Sequence, residues 1–299
     1  MKKLTLITLA LAAASLIGCA AVTQIGTQVA QGTGAITEEQ GDSIRRVGTA
    51  LIKSFEDITP EQEYYIGRAV AAKILQTYPA LDDDDANEYL NRIGQSVAMF
   101  SDRPETFGGY HFLMLDSDEI NAFAAPGGLI LVTRGMVACC ETEDALAAVL
   151  AHEVGHVQNK DGLRAIKKSR WTSLGAIGLE EGFKNLGSEQ LKEVAAQFSN
   201  CIDDIAQTLV VNGYARSQEH EADEAAVTML DGIGYDSHAL LDMLEEMGAR
   251  WDPQGPGFAR THPSPGDRQA KVRTEVGDSP AGGVPPRRQA RFDAAVGGL

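Results

Sequence analysis

The segment His152-Glu153-Val154-Gly155-His156 carries the most chemistry in the chain. On a helix, residues four apart share a face roughly 6 Å apart, so two imidazoles there can bind one zinc ion through ring nitrogens. Glu153, next to the first histidine, can take a proton from a metal-activated water. The plainer reading is a pair of surface histidines, but chance produces H-E-x-x-H in such a chain only on the order of 1% of the time. A catalytic zinc needs a third protein ligand and an open position. The pattern H-E-x-x-H-x-x-G-x-x-H is excluded, because Asn159 and Gly162 stand where its Gly and His belong. A carboxylate from a later helix is the other common solution, and Tyr214 to Asp223 offers one. Glu219 and Asp223 lie one turn apart. Glu219 can ligate while Asp223 accepts a hydrogen bond from the far nitrogen of a ligand histidine. Spacing alone also admits His220, Glu221 or Glu224, and an acidic solvated helix is the bland alternative.

The elements that must hold these residues follow from periodicity and caps. Thr59-Pro60-Glu61-Gln62 reads as a capping box opening a helix to about Thr77. A second helix is expected from about Asp85 to Phe100, with Leu90, Ile93, Val97 and Met99 as core positions. The acidic run Asp82 to Asp85 lacks the spaced ligands and glycine of a calcium loop and reads as a helix start. Tyr110 to Leu115 reads as a strand, and Asn121 to Ala125 and Leu129 to Thr133 as strands around Pro126-Gly127-Gly128. Thr142 or Glu141 opens the H-E-x-x-H helix, expected to reach about Lys168. Its basic end (Arg164, Lys167, Lys168, Arg170) complements the helix dipole. Residues 171–212 look helical but weakly patterned. Helices are expected over Ala215–Leu230, Ser237–Met247 and, last, Asp267–Glu275, with a loop over Trp251–Pro265. The Gly-, Pro- and Ala-rich residues 277–299 read as a disordered tail.

The chain has 299 residues and a formal charge of −16, which disfavours phosphate backbones, so no nucleic-acid partner is expected. The same charge repels anionic lipid, so membrane attachment needs an anchor. Met1-Lys2-Lys3 followed by a short apolar run reads as a signal peptide over residues 1–18, too short to span a bilayer comfortably. Leu16-Ile17-Gly18-Cys19 resembles a bacterial lipobox, which makes Cys19 the acylated N-terminus and Ala20 a residue favouring the outer membrane. Loss of Lys2 and Lys3 would take the balance to 24 − 42 = −18. Residues 19–57 read as a membrane-proximal spacer and 58–276 as the catalytic domain. Cys139, Cys140 and Cys201 allow one disulfide, from Cys201 to either neighbour, or three buried thiols.

H-E-x-x-H followed by E-x-x-x-D resembles the gluzincin metallopeptidase family of HtpX and the CAAX prenyl protease, in the periplasmic branch typified by BepA and LoiP. The resemblance covers roughly residues 60–275 and rests on four ordered pieces: Asn121 to Ala124 with Pro126-Gly127-Gly128; Val132 to Gly135; Leu146 to His156; and Ser217 to Asp223. It implies one zinc ion per chain on His152, His156 and Glu219, Glu153 as general base, and Asp223 behind a ligand histidine. It implies that Gly128, Leu129, Ile130, Leu131 and Val132 form an edge strand pairing with a polypeptide substrate, with Arg134 and Arg216 as helpers or plain salt-bridge formers. Thr261-His262-Pro263 resembles a late segment of that branch, in which the histidine can occupy the water position, so His262 is either an autoinhibitory fourth ligand or a surface residue. Lys160-Asp161-Gly162 departs from the many relatives with a histidine nearby. The expected fold is α+β, a mostly helical domain with a small sheet beside the active-site helix. The expected function is an outer-membrane lipoprotein endopeptidase of unfolded or misassembled cell-envelope proteins, facing the periplasm. The alternative is a latent zinc-containing assembly factor, a partner of envelope assembly machinery.

Overall fold

A computed structural model describes residues 58–166, 199–250, 261–262, 264–277 and 282–299. The signal sequence, Cys19, the spacer over 19–57, the basic residues Lys167, Lys168 and Arg170, the weakly patterned 171–198 and the loop 251–260 lie outside the described residues. Thr59–Ile166 and Ser199–Leu299 form one compact unit.

Helix α1 (Pro60–Ile74) opens on the expected capping box: Thr59 Oγ1 accepts from the Gln62 N–H, and Gln62 Oε1 from the Thr59 N–H. Helix α2 (Asp84–Ala98) is capped by Asp83, whose carboxylate accepts from the Ala86 N–H, so the acidic run is a helix start. Leu90, Ile93 and Val97 are buried. Met99 is 72% exposed, because the helix stops at Ala98 and leaves it beyond the apolar stripe.

Strands β1 (His111–Leu115), β2 (Ala122–Ala125) and β3 (Leu129–Thr133) form a sheet of order β1-β3-β2. β2 and β3 pair antiparallel with Ala122 opposite Val132, around a turn in which Gly127 and Gly128 have φ of +77° and +96°. Those angles favour glycine. β1 joins β3 in parallel, His111 opposite Leu129. This corrects the expectation for Gly128 to Val132. β3 is the central strand, its backbone groups are bonded on both sides, and it has no edge to offer a substrate. The local hairpin was readable, but the parallel β1 partner arrives from a distant segment.

After a short helix α3 (Arg134–Val137), α4 (Glu143–Gln158) is capped by Thr142 and buried along nearly its whole length. Its stretch from Ala145 to Ala151 is apolar on every side and belongs in a core. It ends ten residues earlier than expected. Lys160 adopts a left-handed conformation (φ 57°, ψ 34°), and α5 (Asp161–Arg164) starts in a new direction. Residues 199–207 are helical and pass into a π-helical turn, Thr208–Asn212. Helix α6 (Arg216–Ile233) lies along α4, where a Cβ on Gly155 would sit 2.9 Å from the Ala222 carbonyl oxygen. Only glycine permits that approach between the two helices that carry the chemistry.

Helices α7 (His238–Ala249) and α8 (Pro265–Val276) follow. A further helix, α9 (Pro286–Val296), replaces the disorder expected there, with Phe292 and Val296 buried in the main core. Its composition is poor in apolar residues, but its arginines find carboxylates on α4. Cys139, Cys140 and Cys201 are buried, and no disulfide joins them. Burial pushes the Cys140 thiol far above its ordinary range.

Candidate metal centre

Helix α4 supplies His152, Glu153 and His156, α6 supplies Glu219 and Asp223, and the turn before α8 supplies His262. All six side chains are buried. One ligand atom each from His152, His156, Glu219 and His262 lie within 4.8 Å of one another. The Nε2 atoms of His152 and His156 are 3.2 Å apart, and each is 3.5 Å from a Glu219 oxygen. His262 Nδ1 stands 2.9 and 2.8 Å from the two Glu219 oxygens. The structure thus brings together His152, Glu153, His156, Glu219, Asp223 and His262. Of the alternatives that spacing allowed, Glu221 is exposed and pairs with Arg164 at 3.2 Å, Glu224 is exposed, and His220 is outside the cluster.

Carboxylates orient both ligand histidines from behind. His152 Nδ1 is 3.0 Å from Asp223 Oδ1, and His156 Nδ1 is 2.9 Å from Asp161 Oδ2. Arg268 of α8, fully buried, donates through Nε and Nη2 to the two Asp223 oxygens at 2.9 and 2.6 Å. Its Nη2 also lies 3.1 Å from His152 Nδ1. Tyr214 places its ring 4.3 Å from that of His156. Its hydroxyl is buried and has no hydrogen-bond partner among the described residues. A narrow cavity is lined by Glu153, Tyr214, His262, Thr261, Thr208, Leu209 and the β2 residues Ala122 and Ala124.

Asp161, Arg268 and Tyr214 escaped the sequence reading as site residues. A helix continued through position 161 hides Asp161, since five residues on it would face roughly 140° away from His156. No spacing rule links Arg268 to the earlier motifs. Tyr214 stood beside the Glu219 motif, but nothing local marked its ring as a neighbour of His156.

The charges fit a divalent cation. Four buried carboxylates, Glu153, Asp161, Glu219 and Asp223, face one buried guanidinium, Arg268. Such a deficit is costly unless a cation offsets it. Two imidazoles and a carboxylate are the donors zinc favours. Burial opposes ionisation of Glu219, but the His262 charge, hydrogen bonds from His152 and His262, and Arg268 hold its pKa well below the ordinary range. Burial likewise opposes ionisation of Asp223, and Arg268 and His152 outweigh it. Burial and the Arg268 charge press His152 down, yet hydrogen bonds with Asp223 and Glu219 raise it to about 9. Burial lowers His262, only partly offset by Glu219. Burial, then the Asp161, Glu153 and Glu219 charges, push the Tyr214 phenol well above its usual value, so it keeps its proton. Arg134 pairs with Asp116 and Asp118 at 3.0 Å each, and Arg216 with Asp267 at 3.2 Å, so both form surface ion pairs.

Comparison with known proteins adds family to geometry. The model of Peptidase family M48 matches residues 84–276, from α2 to the end of α8. The Beta-barrel assembly-enhancing protease of Escherichia coli (strain K12) is 25% identical over 247 residues, covering 80% of this chain and 48% of that protein. Mitochondrial metalloendopeptidase OMA1 of Schizosaccharomyces pombe is 31% identical over 154 residues, covering 51% of this chain and 42% of its own. Protease HtpX homolog of Acidiphilium cryptum is 26% identical over 220 residues, covering 64% and 74%. The chain spans about half the length of the assembly-enhancing proteases it matches.

Proposed function

The chain belongs to Peptidase family M48, and on that premise we propose that it is a zinc-dependent endopeptidase acting on unfolded or misassembled proteins of the cell envelope. The observation that carries this reading is the buried cluster of His152, His156, Glu219 and His262 with Glu153 in the same cavity. His152, His156 and Glu219 would hold the ion. Bound there, zinc supplies Lewis acidity, making a water acidic and polarising the scissile carbonyl. Glu153, which lines the same cavity, would take a proton from the attacking water and return it to the leaving amine. The Tyr214 phenol, protonated and without a partner among the described residues, donates to the carbonyl oxygen as negative charge grows there. The substrate strand lies along β2. β2 is an edge of the sheet, and Ala122 and Ala124 line the cavity beside Glu153.

A link to β-barrel assembly is supported by the name of the relatives that cover most of the chain, the Beta-barrel assembly-enhancing proteases. Outer-membrane attachment facing the periplasm would come from acylation of Cys19. Among the described residues no helix is long and apolar enough to cross a membrane. His262 favours a second state of the same protein: beside His152, His156 and Glu219 it would serve as a further ligand in place of water, which would leave the zinc lipoprotein latent.

The test measures zinc content and chelator-sensitive cleavage of an unfolded reporter polypeptide by wild type and His262→Ala. One zinc per chain, and faster cleavage by His262→Ala, is expected. A folded protein without stoichiometric zinc would remove the reading. Equal rates with the metal retained would remove the plug.

A further inference from the structure

Resting on that zinc reading, we propose that Asp161 is a positioning residue for His156, and that the left-handed turn at Lys160 serves to deliver it. A ligand imidazole has two nitrogens, and the partner of one decides whether the other presents a lone pair to the metal. For His152 that partner is Asp223, expected from the E-x-x-x-D spacing. For His156 it is Asp161, whose Oδ2 lies 2.9 Å from Nδ1 and whose side chain is fully buried. With its Nδ1 proton given to a carboxylate, His156 turns Nε2 toward His152 and Glu219.

The carboxylate is itself pinned. Asp161 Oδ1 accepts from Gln218 Nε2 at 2.9 Å and from Arg164 Nη1 at 3.1 Å. Gln218 precedes the ligand Glu219, and its Oε1 accepts the Ala215 N–H at the start of α6. Asp161 therefore ties the orientation of His156 on α4 to the helix that carries Glu219. The backbone shows the same purpose. Lys160 is the sole non-glycine residue at positive φ among the described residues. Strain of this kind persists where surrounding contacts over-determine it. A helix running on from α4 would carry position 161 away from His156. The turn at Lys160 swings it back.

The experiment uses the full chain and reads zinc affinity by competition with a chromophoric chelator, and the visible absorption spectrum of the cobalt-substituted protein. Asp161→Ala is expected to weaken zinc binding by about 10–100-fold and to shift the cobalt spectrum. Asp161→Asn, which keeps an acceptor but loses the charge, falls between it and wild type. Lys160→Gly, free to adopt positive φ, keeps wild-type affinity. Should Asp161→Ala fail to fold, Asp161→Asn decides. Wild-type affinity and an unshifted spectrum in the folded Asp161 variants overturn this inference alone. A wild type that binds no zinc overturns the metal site and this inference with it.

Discussion

At the scale of residues, the site works by surplus. Several buried carboxylates converge, and one arginine within the fold offsets part of their charge. Arg268 and Asp223 are both nearly inaccessible, 2% and 1% exposed. Removing one member of such a pair strands the other, so Arg268→Ala should cost about 3–5 kcal/mol, read as a lower urea midpoint. A small change would mean that Asp223 finds another donor. The raised pKa of His152, about 9 in the metal-free fold, has consequences of definite sign. An elevated histidine pKa stabilises the apoprotein below the ordinary value of about 6.5, and that contribution fades as pH rises through about 9. Zinc must displace the same proton, so its affinity should climb over that window and then level off. Competition titrations between about pH 6 and pH 10 check this, and a flat profile would contradict the His152–Asp223 pairing. H-E-x-x-H and E-x-x-x-D were legible because helix geometry fixes the facing of residues four apart. Arg268 and Asp161 were not, because one reaches the site through tertiary packing and the other through a backbone turn that residue types do not announce.

At the scale of elements, the active-site helix is held at both ends. Its C-terminal end breaks at Lys160 to place Asp161. At its N-terminal end, Glu143 and Asp144 are buried and carry the last helix. Arg291 pairs with Glu143, which also accepts from Tyr89 and Tyr235 hydroxyls at 2.7 and 2.9 Å. Arg288 Nη1 donates to Asp144 at 2.8 Å. Burial resists the charge on Glu143, but Arg291 and the two tyrosines hold its pKa below the ordinary value. A depressed carboxylate pKa stabilises above the unfolded value and is lost as pH falls through the folded one. Arg291→Ala should therefore lower stability by ~1–2 kcal/mol near neutral pH, a fall in Tm of roughly 2–8 °C. The difference should close as pH drops below the ordinary carboxylate range. Thermal melts across pH test it, and a difference that persists in acid would contradict the ion pair as its source. Helix caps and the β2–β3 hairpin were legible because they are local. The central place of β3 and the folding of α9 were not, since each depends on a partner distant in sequence: β1 for the strand, and the carboxylates of α4 for a helix whose own apolar content is low.

At the scale of the whole molecule, the matched family segment runs from α2 to α8, with α1 and α9 flanking it. The charge of −16 makes unaided adhesion to an anionic membrane unfavourable, so the proposed attachment depends on Cys19. Cys19→Ala should move the protein from the membrane to the soluble fraction on cell fractionation. Retention in the membrane would refute the lipid anchor. Peptide-bond hydrolysis at this centre with Glu153 as the base is checked by Glu153→Gln in a His262→Ala background, assayed on an unfolded reporter polypeptide. One zinc per chain is expected in both proteins, with a rate about 10²–10⁴-fold lower in the glutamine variant. Equal rates with zinc retained would contradict it.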